Sequence, residues 1–530
     1  MPTIPTLRKK EKGWELIVDD KPFIMLGGEI HNSSASSLQY MEDHVWDAVT
    51  KLNCNTVVAP VYWELFEPAE GAFDFSLLDG LLSQARERNM KLVLLWFGTW
   101  KNSYSSYVPE WVKTDVKRFF RMEAPDGSKM PRISCFCEEA MKADTRAFTS
   151  LMKRIREIDG DKNTAIMVQV QNEVGILGAD RDYSPAAEKY FHKNVPEPLM
   201  TGLIKRKNKL RIEISRVWES AGMKESGTWS EIFGELAEEV FSAWYFARYM
   251  EAMTSSGKAE YALPMFVNAW LVQSEDQPAG RYPSGGPVSK MIDVWKIAAP
   301  SICLSAPDIY LDSFAEICAD YTSEDNPLLI PEARRDETAA ANVFYAIGRH
   351  QALCFAPFGI ESMTTNAKVD IVGNNVADAS LKIRNSDYGS MLAQSYALLQ
   401  SMMPLISACY GTDSMTGILQ SPGVRKEYIS LGDYALEIIY EAVLEKGTSP
   451  GAGLLIKIND GEYFIAGHGF TVVPVSRNGK KNNIVEIVLL EEGSFLNGRW
   501  QAYRRLNGDE CRCALAHTPS ARRLKIFDFK

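Results

Sequence analysis

The fold of this chain turns on the stretch "IMVQVQNEVG", Ile166–Gly175. An apolar, β-branched run interrupted by two glutamines leads to Asn172-Glu173, and a glycine ends it. A run this apolar reads as a strand covered on both faces, which is the habit of parallel sheets. A carboxylate at the end of such a strand has no business in a core. It has to point into a mouth or a cleft.

Working outward, seven more runs of the same kind appear at 23–30, 55–63, 91–98, 264–270, 302–310, 327–334 and 352–361. Between them lie segments with leucines or other apolar residues at helical spacing, among them "SLLDGLLSQARERN", "CEEAMKADTRAFTSLMKRIREI" and "EIFGELAEEVFSAWYFARYMEAM". Eight strand–helix units predict an α/β fold, a (β/α)₈ TIM barrel over residues 1–410 with an N-terminal hairpin and long loops after strands three and four. A doubly wound open sheet is the rival, but "GGEIHNSS" after the first strand is not a glycine-rich phosphate loop. Beyond "YGSMLAQSYALLQSMMPLISACY" the pattern changes to strands without helices. "LLIKINDGEYFIAG" reads as a hairpin with an Asp460-Gly461 turn, and "SFLNGRWQAYRRLNGDE" carries two Asn-Gly turn signals. Residues 411–530 are therefore expected to form a smaller all-β, sandwich-like domain.

Composition narrows the function. The 530 residues carry a net charge of −10 without a basic stripe, which disfavours nucleic acid as a partner. No apolar run approaches a membrane span, and the N-terminal basic residues lack the apolar stretch of a secretory leader. The nine scattered cysteines read as reduced thiols, so a cytoplasmic protein is expected. Cys135/Cys137 and Cys511/Cys513 lack histidines at ligand spacing, and neither a metal nor a cofactor is expected. The basic segment "LIKRKNKLRIEISRVW" reads as a solvated helix or packing surface.

The chemistry rests on two glutamates. "LLIPEARRD" repeats the motif of the fourth strand, a buried run that ends at Glu332. Strands four and seven lie nearly across a barrel from each other, so Glu173 and Glu332 can face one cavity. Two facing carboxyl groups are what acetal hydrolysis requires: one protonates the departing oxygen and the other captures positive charge at the anomeric carbon. A charge on Glu332 would raise the pKa of Glu173 and keep it an acid until the nucleophile is esterified. Arg334, two residues beyond Glu332, is a candidate support for that carboxylate, with a surface ion pair as its plain alternative. Strand-end residues Glu29 and Glu64 could bind hydroxyls or pair with arginines. His31 reads as a binding group. Trp100 and Trp270 could offer a flat face to a sugar or pack in the core, with Trp111 a weaker candidate. Tyr310 could donate a hydrogen bond to Glu332 or pack.

With these residues in view, the chain resembles the retaining glycosidases built on (β/α)₈ barrels, and in particular β-galactosidase families 35 and 42. "GGEIHNSS", "YWELFEPAEGAFDF", "VQVQNEVG" and "IPEARRD" carry the resemblance over about residues 15–400, and the C-terminal β-domain resembles one fused to a bacterial subgroup. The resemblance implies Glu173 as acid/base, Glu332 as nucleophile and Asn172 as a partner of the sugar 2-hydroxyl. It implies a retaining exo-β-glycosidase, first a β-galactosidase, acting on a carbohydrate or glycoside, with homo-oligomerisation possible. The chain departs from family 35 at Gln171 and Val174 and lacks its Cys-Ala-Glu segment after the third strand. A β-glucosidase or another exo-β-glycosidase is thus an alternative, and a non-catalytic carbohydrate-binding barrel is the alternative of a different class.

Overall fold

A computed structural model describes residues 3–274, 276–364, 388–445, 447–476 and 483–529. Its centre is a closed barrel of eight parallel strands: β1 (Met25–Glu29), β2 (Thr56–Tyr62), β3 (Lys91–Lys101), β4 (Ala165–Asn172), β5 (Met265–Trp270), β6 (Leu304–Ile309), β7 (Ile330–Ala333) and β8 (Cys354–Pro357). Every predicted strand is present, and β8 closes on β1 through Cys354↔Met25 and Phe355↔Leu26. β4 is buried at all eight positions, because neighbouring strands and an outer layer of helices leave neither face to water.

The helices supply apolar stripes for that outer layer. Helix α1 (Ser76–Glu87) buries Leu78, Leu81, Leu82 and Ala85. Helix α2 (Glu138–Asp159) opens on Glu138 and Glu139, which suit the positive end of its dipole, and buries Ala140, Ala143, Ala147, Leu151 and Ile155 along one side. The expected N-terminal hairpin is a three-stranded antiparallel sheet, Thr6–Lys9, Trp14–Val18 and Lys21–Phe23. It sits at the N-terminal ends of the barrel strands, where Asp19 pairs with Lys91 at 3.0 Å and accepts from Asn163 at 2.9 Å. This sheet floors the barrel and leaves the opposite end as the mouth.

Two differences from the sequence reading lie near that mouth. β3 runs on to Lys101 rather than stopping near Gly98, with an irregular register between Trp96 and Lys101. The basic segment after β4 is not one helix. It breaks at Lys207–Lys209 between helices Glu197–Arg206 and Ile212–Ser220, and three of its cations pair with acids of the barrel: Arg206 with Asp293 and Asp325, Lys209 with Glu324, Arg211 with Asp320. The segment is a packing surface.

Beyond helix Met403–Cys409 the described residues form a six-stranded and a four-stranded antiparallel sheet. Two of the three turn signals make hairpins: Asp460-Gly461 joins Ala452–Asn459 to Glu462–His468, and Asn497-Gly498 joins Ile484–Leu496 to Arg499–Arg505 with φ of 51° and 73°, whereas Asn507-Gly508 opens the 3-10 turn Gly508–Glu510. The period-two alternation of the six-stranded sheet serves two cores. Leu455, Ile465 and Leu524 meet Leu436 and Ile438 of the four-stranded sheet, whereas Leu454, Ile456, Phe464 and Ala466 join the core of the barrel. The partner on the barrel side is helix α3 (Ala339–His350), and the approach is close enough to exclude side chains. A Cβ on Gly417 would stand 2.8 Å from the Arg349 nitrogen and 2.9 Å from the Tyr345 oxygen, and one on Gly348 would stand 2.7 Å from Gly417 Cα. Because α3 runs from the mouth side after β7 towards the foot of β8, this seam lies at its end remote from the mouth. Among the described residues, no helix is long and apolar enough to cross a membrane.

The glycine seam gives a stability test. Gly417→Val should force the β-domain off α3, lower the midpoint of calorimetric unfolding by the equivalent of roughly 1–3 kcal/mol, and split a joint transition into two. An unchanged single transition would mean that the seam does not couple the domains.

Candidate active site

The end of β4 does not run straight into its loop. Gln171 and Glu173 both take left-handed backbone, with φ of 61° and 47°, although neither is glycine. Such conformations cost on the order of 1–3 kcal/mol each and persist only where surroundings enforce them. The enforcement comes from Asp144 of α2, which is fully buried. Its carboxylate accepts from Trp96 Nε1 at 2.8 Å, Thr99 N at 3.1 Å, Thr99 Oγ1 at 2.6 Å and Gln171 Nε2 at 2.6 Å. Gln171 Oε1 in turn accepts from the Trp100 amide at 2.9 Å. On the other side, the Glu173 amide donates to Asn268 Oδ1 of β5 at 2.9 Å. So fixed, the Glu173 side chain enters the mouth.

There it meets Glu332 from β7 and Asp308 from β6. One carboxylate oxygen of each lies within 4.8 Å of the others, and all three residues are buried. Asn102 donates to Glu173 Oε2, and Tyr310 donates its hydroxyl to Glu332 Oε1. Glu332 Oε2 is buried and receives no donor. Asp308 and Glu332 are direct register partners across β6 and β7, and Asn268 Nδ2 donates to Asp308 Oδ2 at 2.7 Å. Burial, and next the nearby Glu332 charge, push the Glu173 carboxyl up to about 8, against the pull of Lys101. The same two causes hold Asp308 and Glu29 well above the usual carboxylate range.

This cluster is the one group among the described residues with the spacing to consider for a cation. Its donors argue otherwise. An amide NH₂ and a phenol O–H already point at two of the carboxylates, as suits oxyanions and carboxylic acids rather than a metal cage, and no histidine or cysteine joins them.

Of the other residues singled out in the sequence, Asn172, Glu29, His31 and Trp270 stand at strand ends around this mouth. Asn172 Oδ1 accepts from Lys101 Nζ at 2.9 Å and its Nδ2 is buried without a partner. Glu29 is 1% exposed, with Oε2 likewise unpartnered. His31 bonds Ser362 Oγ at 2.7 Å, and its imidazole is pulled below the ordinary value by burial and by Arg335, against Glu361. Trp270 is half-buried and is the register partner of Asp308.

Three expectations are corrected. Trp100 is no sugar platform: it is fully buried against Phe246 and Tyr249, and its Nε1 donates to Ile133 O at 3.1 Å. Glu64 does not end a strand. It opens the short helix Trp63–Phe66, is 38% exposed and faces Lys113 at 3.9 Å. Arg334 turns away from Glu332 to Asp312 at 2.7 Å and to the Tyr310 carbonyl, so any effect on Glu332 passes through Tyr310. Trp111 packs edge-on to Trp63 and Phe119 and donates to Glu67 O at 3.2 Å. Lys101, Asn102, Asn268 and Asp308 were missed by the sequence reading. Two carried a signal, since Asn268 interrupts an apolar strand and Asp308 precedes Tyr310 by the two residues that put both on one strand face.

A closed parallel barrel with glutamates at the ends of its fourth and seventh strands is the arrangement of the barrel glycoside hydrolases. The comparisons agree and narrow it. Residues 39–210, which carry β2 to β4 and Glu173, match the family model described as β-galactosidase of glycoside hydrolase family 42. Residues 392–516 match a model described as a domain of unknown function. The chain is 27% identical over 197 residues to human beta-galactosidase-1-like protein 2, a stretch that is 36% of this chain and 28% of that protein's length. In structure it is similar to a catalytic mutant of a family 42 β-galactosidase from G. stearothermophilus, with a TM-score of 0.50 at 10% identity over 95% of this chain and 98% of that one. A β-galactosidase from Bacillus circulans sp. alkalophilus gives 0.49 at 10% identity over 94% and 99%. At 10% identity the likeness to the first of these speaks for the fold alone.

The electrostatics of the mouth bear on stability. Because the folded state holds Glu173 as an acid up to about 8, against 4.5 for an ordinary glutamate, folding is opposed progressively as pH rises through that window. Glu173→Gln removes the titration. Its melting temperature should exceed that of the parent by an amount that grows from pH 5 to pH 8, reaching roughly 1–3 kcal/mol of added stability. A constant difference across that range would count against the buried, proton-holding carboxyl.

Proposed function

We propose that this protein is a retaining exo-β-glycosidase, first a β-galactosidase, that works by double displacement with Glu173 as acid/base and Glu332 as nucleophile. The observation that carries the reading is the spacing of the two carboxyl groups, whose nearest oxygens lie within 4.8 Å. Retaining enzymes keep theirs about 5–5.5 Å apart, whereas an inverting enzyme needs room for a water and about 6.5–9.5 Å. The family 42 match supports the choice of galactoside as first substrate.

Each step then has a residue. Glu332 Oε2, free of donors, is the attacking oxygen, and Tyr310 steadies the charge on Oε1. Glu173 gives its proton to the departing oxygen as the glycosyl ester forms. Esterification removes the Glu332 charge that had held the Glu173 proton, so Glu173 becomes a base for the incoming water. The unpartnered Asn172 Nδ2 is the donor for the 2-hydroxyl, and Glu29 Oε2 the acceptor for another ring hydroxyl. Buried polar atoms without partners are costly, and sugar hydroxyls would satisfy them. Trp270 is the remaining candidate for a flat apolar contact with the ring.

A panel of nitrophenyl β-glycosides tests the activity. Galactoside should be turned over fastest, a faster glucoside, fucoside or xyloside would reassign the sugar, and silence on all would favour a binding barrel. Glu332→Gly should lose at least ~10³-fold in kcat and give the α-glycosyl azide with azide, whereas Glu173→Ala should give the β-azide. Both variants yielding the same anomer would sink the assignment of roles.

The pH dependence follows from the same site. Glu173 must be protonated to act on free substrate, so kcat/KM should fall as pH rises through about 8. A limb near the value of an ordinary glutamate would show that another group is the acid.

A further inference from the structure

Double displacement needs two carboxyl groups, and this mouth holds a third in contact with both. Asp308 is 2% exposed and lies directly opposite Glu332 in the register of β6 and β7, where two like charges would repel at short range. Its carboxyl is in hydrogen-bonding contact with that of Glu173. Two carboxyl groups can make such a bond only by sharing a proton. Asn268 ties the pair together, donating to Asp308 Oδ2 at 2.7 Å while accepting from the Glu173 amide at 2.9 Å. No donor reaches Asp308 Oδ1, so an ionised Asp308 would leave a buried anionic oxygen with nothing to solvate it.

The charges around Asp308 come from every wall of the mouth. Glu29 faces it from β1, Glu173 from β4 and Glu332 from β7, with the phenols of Tyr310 and Tyr321 nearby. Lys101 of β3 is the cation acting on Glu173 and Glu29, and its ammonium is already donating to Asn172. The charged groups that act most strongly on Asp308 are these acids, and none of them can pair with a negative charge there.

We propose that Asp308 works in this site as a neutral carboxylic acid that shares its proton with Glu173 and so sets the protonation of the acid/base. This deepens the glycosidase reading and rests on it for the role of Glu173. The proton balance is simple. While Glu173 is an acid, each of the two carboxyls carries its own proton. When Glu173 passes its proton to the departing oxygen, the pair goes from two protons to one, and the remaining Asp308 O–H donates to the new Glu173 carboxylate. The arriving water then returns a proton to Glu173. Asp308 is thus a positioning residue that stabilises the carboxylate form of its neighbour, as a carboxylic acid kept neutral by an apolar site can.

The test separates a neutral Asp308 from a charged one by the direction in which the alkaline limb of kcat/KM moves. Asp308→Asn mimics the protonated acid. Its rate should fall by about tenfold, with the limb staying within about 0.3 pH unit of the parent. Asp308→Ala removes the donor, so the Glu173 carboxylate loses stabilisation and the limb should move up, with a rate loss of about 10²-fold. Were Asp308 ionised, Asp308→Asn would delete a negative charge and the limb would move down by a unit or more, and that result overturns the proposal. Infrared difference spectra of resting parent minus Asp308→Asn at pH 7 need neither turnover nor the alanine variant. They should show the carbonyl stretch of a buried carboxylic acid. A carboxylate band in its place refutes the neutral acid whether or not any glycoside is hydrolysed, whereas the acid band in a protein inactive on all glycosides would leave Asp308 protonated and remove only the catalytic reading.

Discussion

The mouth of this barrel depends on a carboxylate that never reaches it. Asp144 lies beneath the ends of β3 and β4 and gathers four hydrogen bonds from Trp96, Thr99 and Gln171. Hydrogen bonds to a charged group contribute about 1.5–3 kcal/mol each, enough to offset the unfavourable backbone of Gln171 and Glu173. Without that anchor β4 would continue in extended backbone, and its alternation would place successive side chains on opposite faces. The left-handed residues break the alternation, and Asn172 and Glu173 can then both serve the mouth. Gln171 belongs to this anchoring set rather than to the cavity.

The cluster itself is a destabilising arrangement that the fold tolerates. Glu29, Glu173, Asp308 and Glu332 are all buried at the ends of β1, β4, β6 and β7, and Lys101 offsets only part of their mutual repulsion. Protonation relieves the remainder, which is why burial and a neighbouring charge raise Glu173, Asp308 and Glu29 together. The stability lost here has to be supplied elsewhere. The double use of the six-stranded sheet is one source, since that sheet buries one face in the sandwich and the other against α3, extending the barrel core.

The barrel was legible in the sequence because parallel strands covered on both faces are nearly continuous apolar runs, and all eight stand out against helices of a different period. The position of Glu173 and Glu332 was legible for the same reason: a carboxylate that ends such a run has nowhere else to go. What could not be read was the course of the chain past the strand ends. Trp100 looked like a loop residue because the bulge that carries β3 on to Lys101 has no sequence signature, and the bulge turns the indole into the core. Glu64 looked like a strand end, but the chain enters a helical turn at Trp63 and swings it towards Lys113. Asp308 was hidden in "SAPDIY" because a single acid before a strand end is an ordinary sight. Its meaning comes from β7, its neighbour in space, whose register sets Glu332 directly opposite.

The unsatisfied atoms of the mouth also bear on what can fill it. Glu29 Oε2, Glu332 Oε2 and Glu361 Oε2 are carboxyl oxygens, and Asn172 Nδ2 and Arg335 Nε are the donors beside them. An anionic sugar would bring another negative charge among carboxyl groups that outnumber Lys101 and Arg335, and Lys101 is occupied with Asn172 Oδ1. A neutral pyranose suits it better, because each hydroxyl can donate to one of the carboxyl oxygens while another accepts from Asn172. Binding such a polyol would satisfy buried oxygens without adding charge, and the same hydrogen bonds would draw the ring between Glu173 and Glu332. On the proposed mechanism, the crowding that weakens the empty fold therefore becomes binding energy at the two atoms where the bond is to be broken.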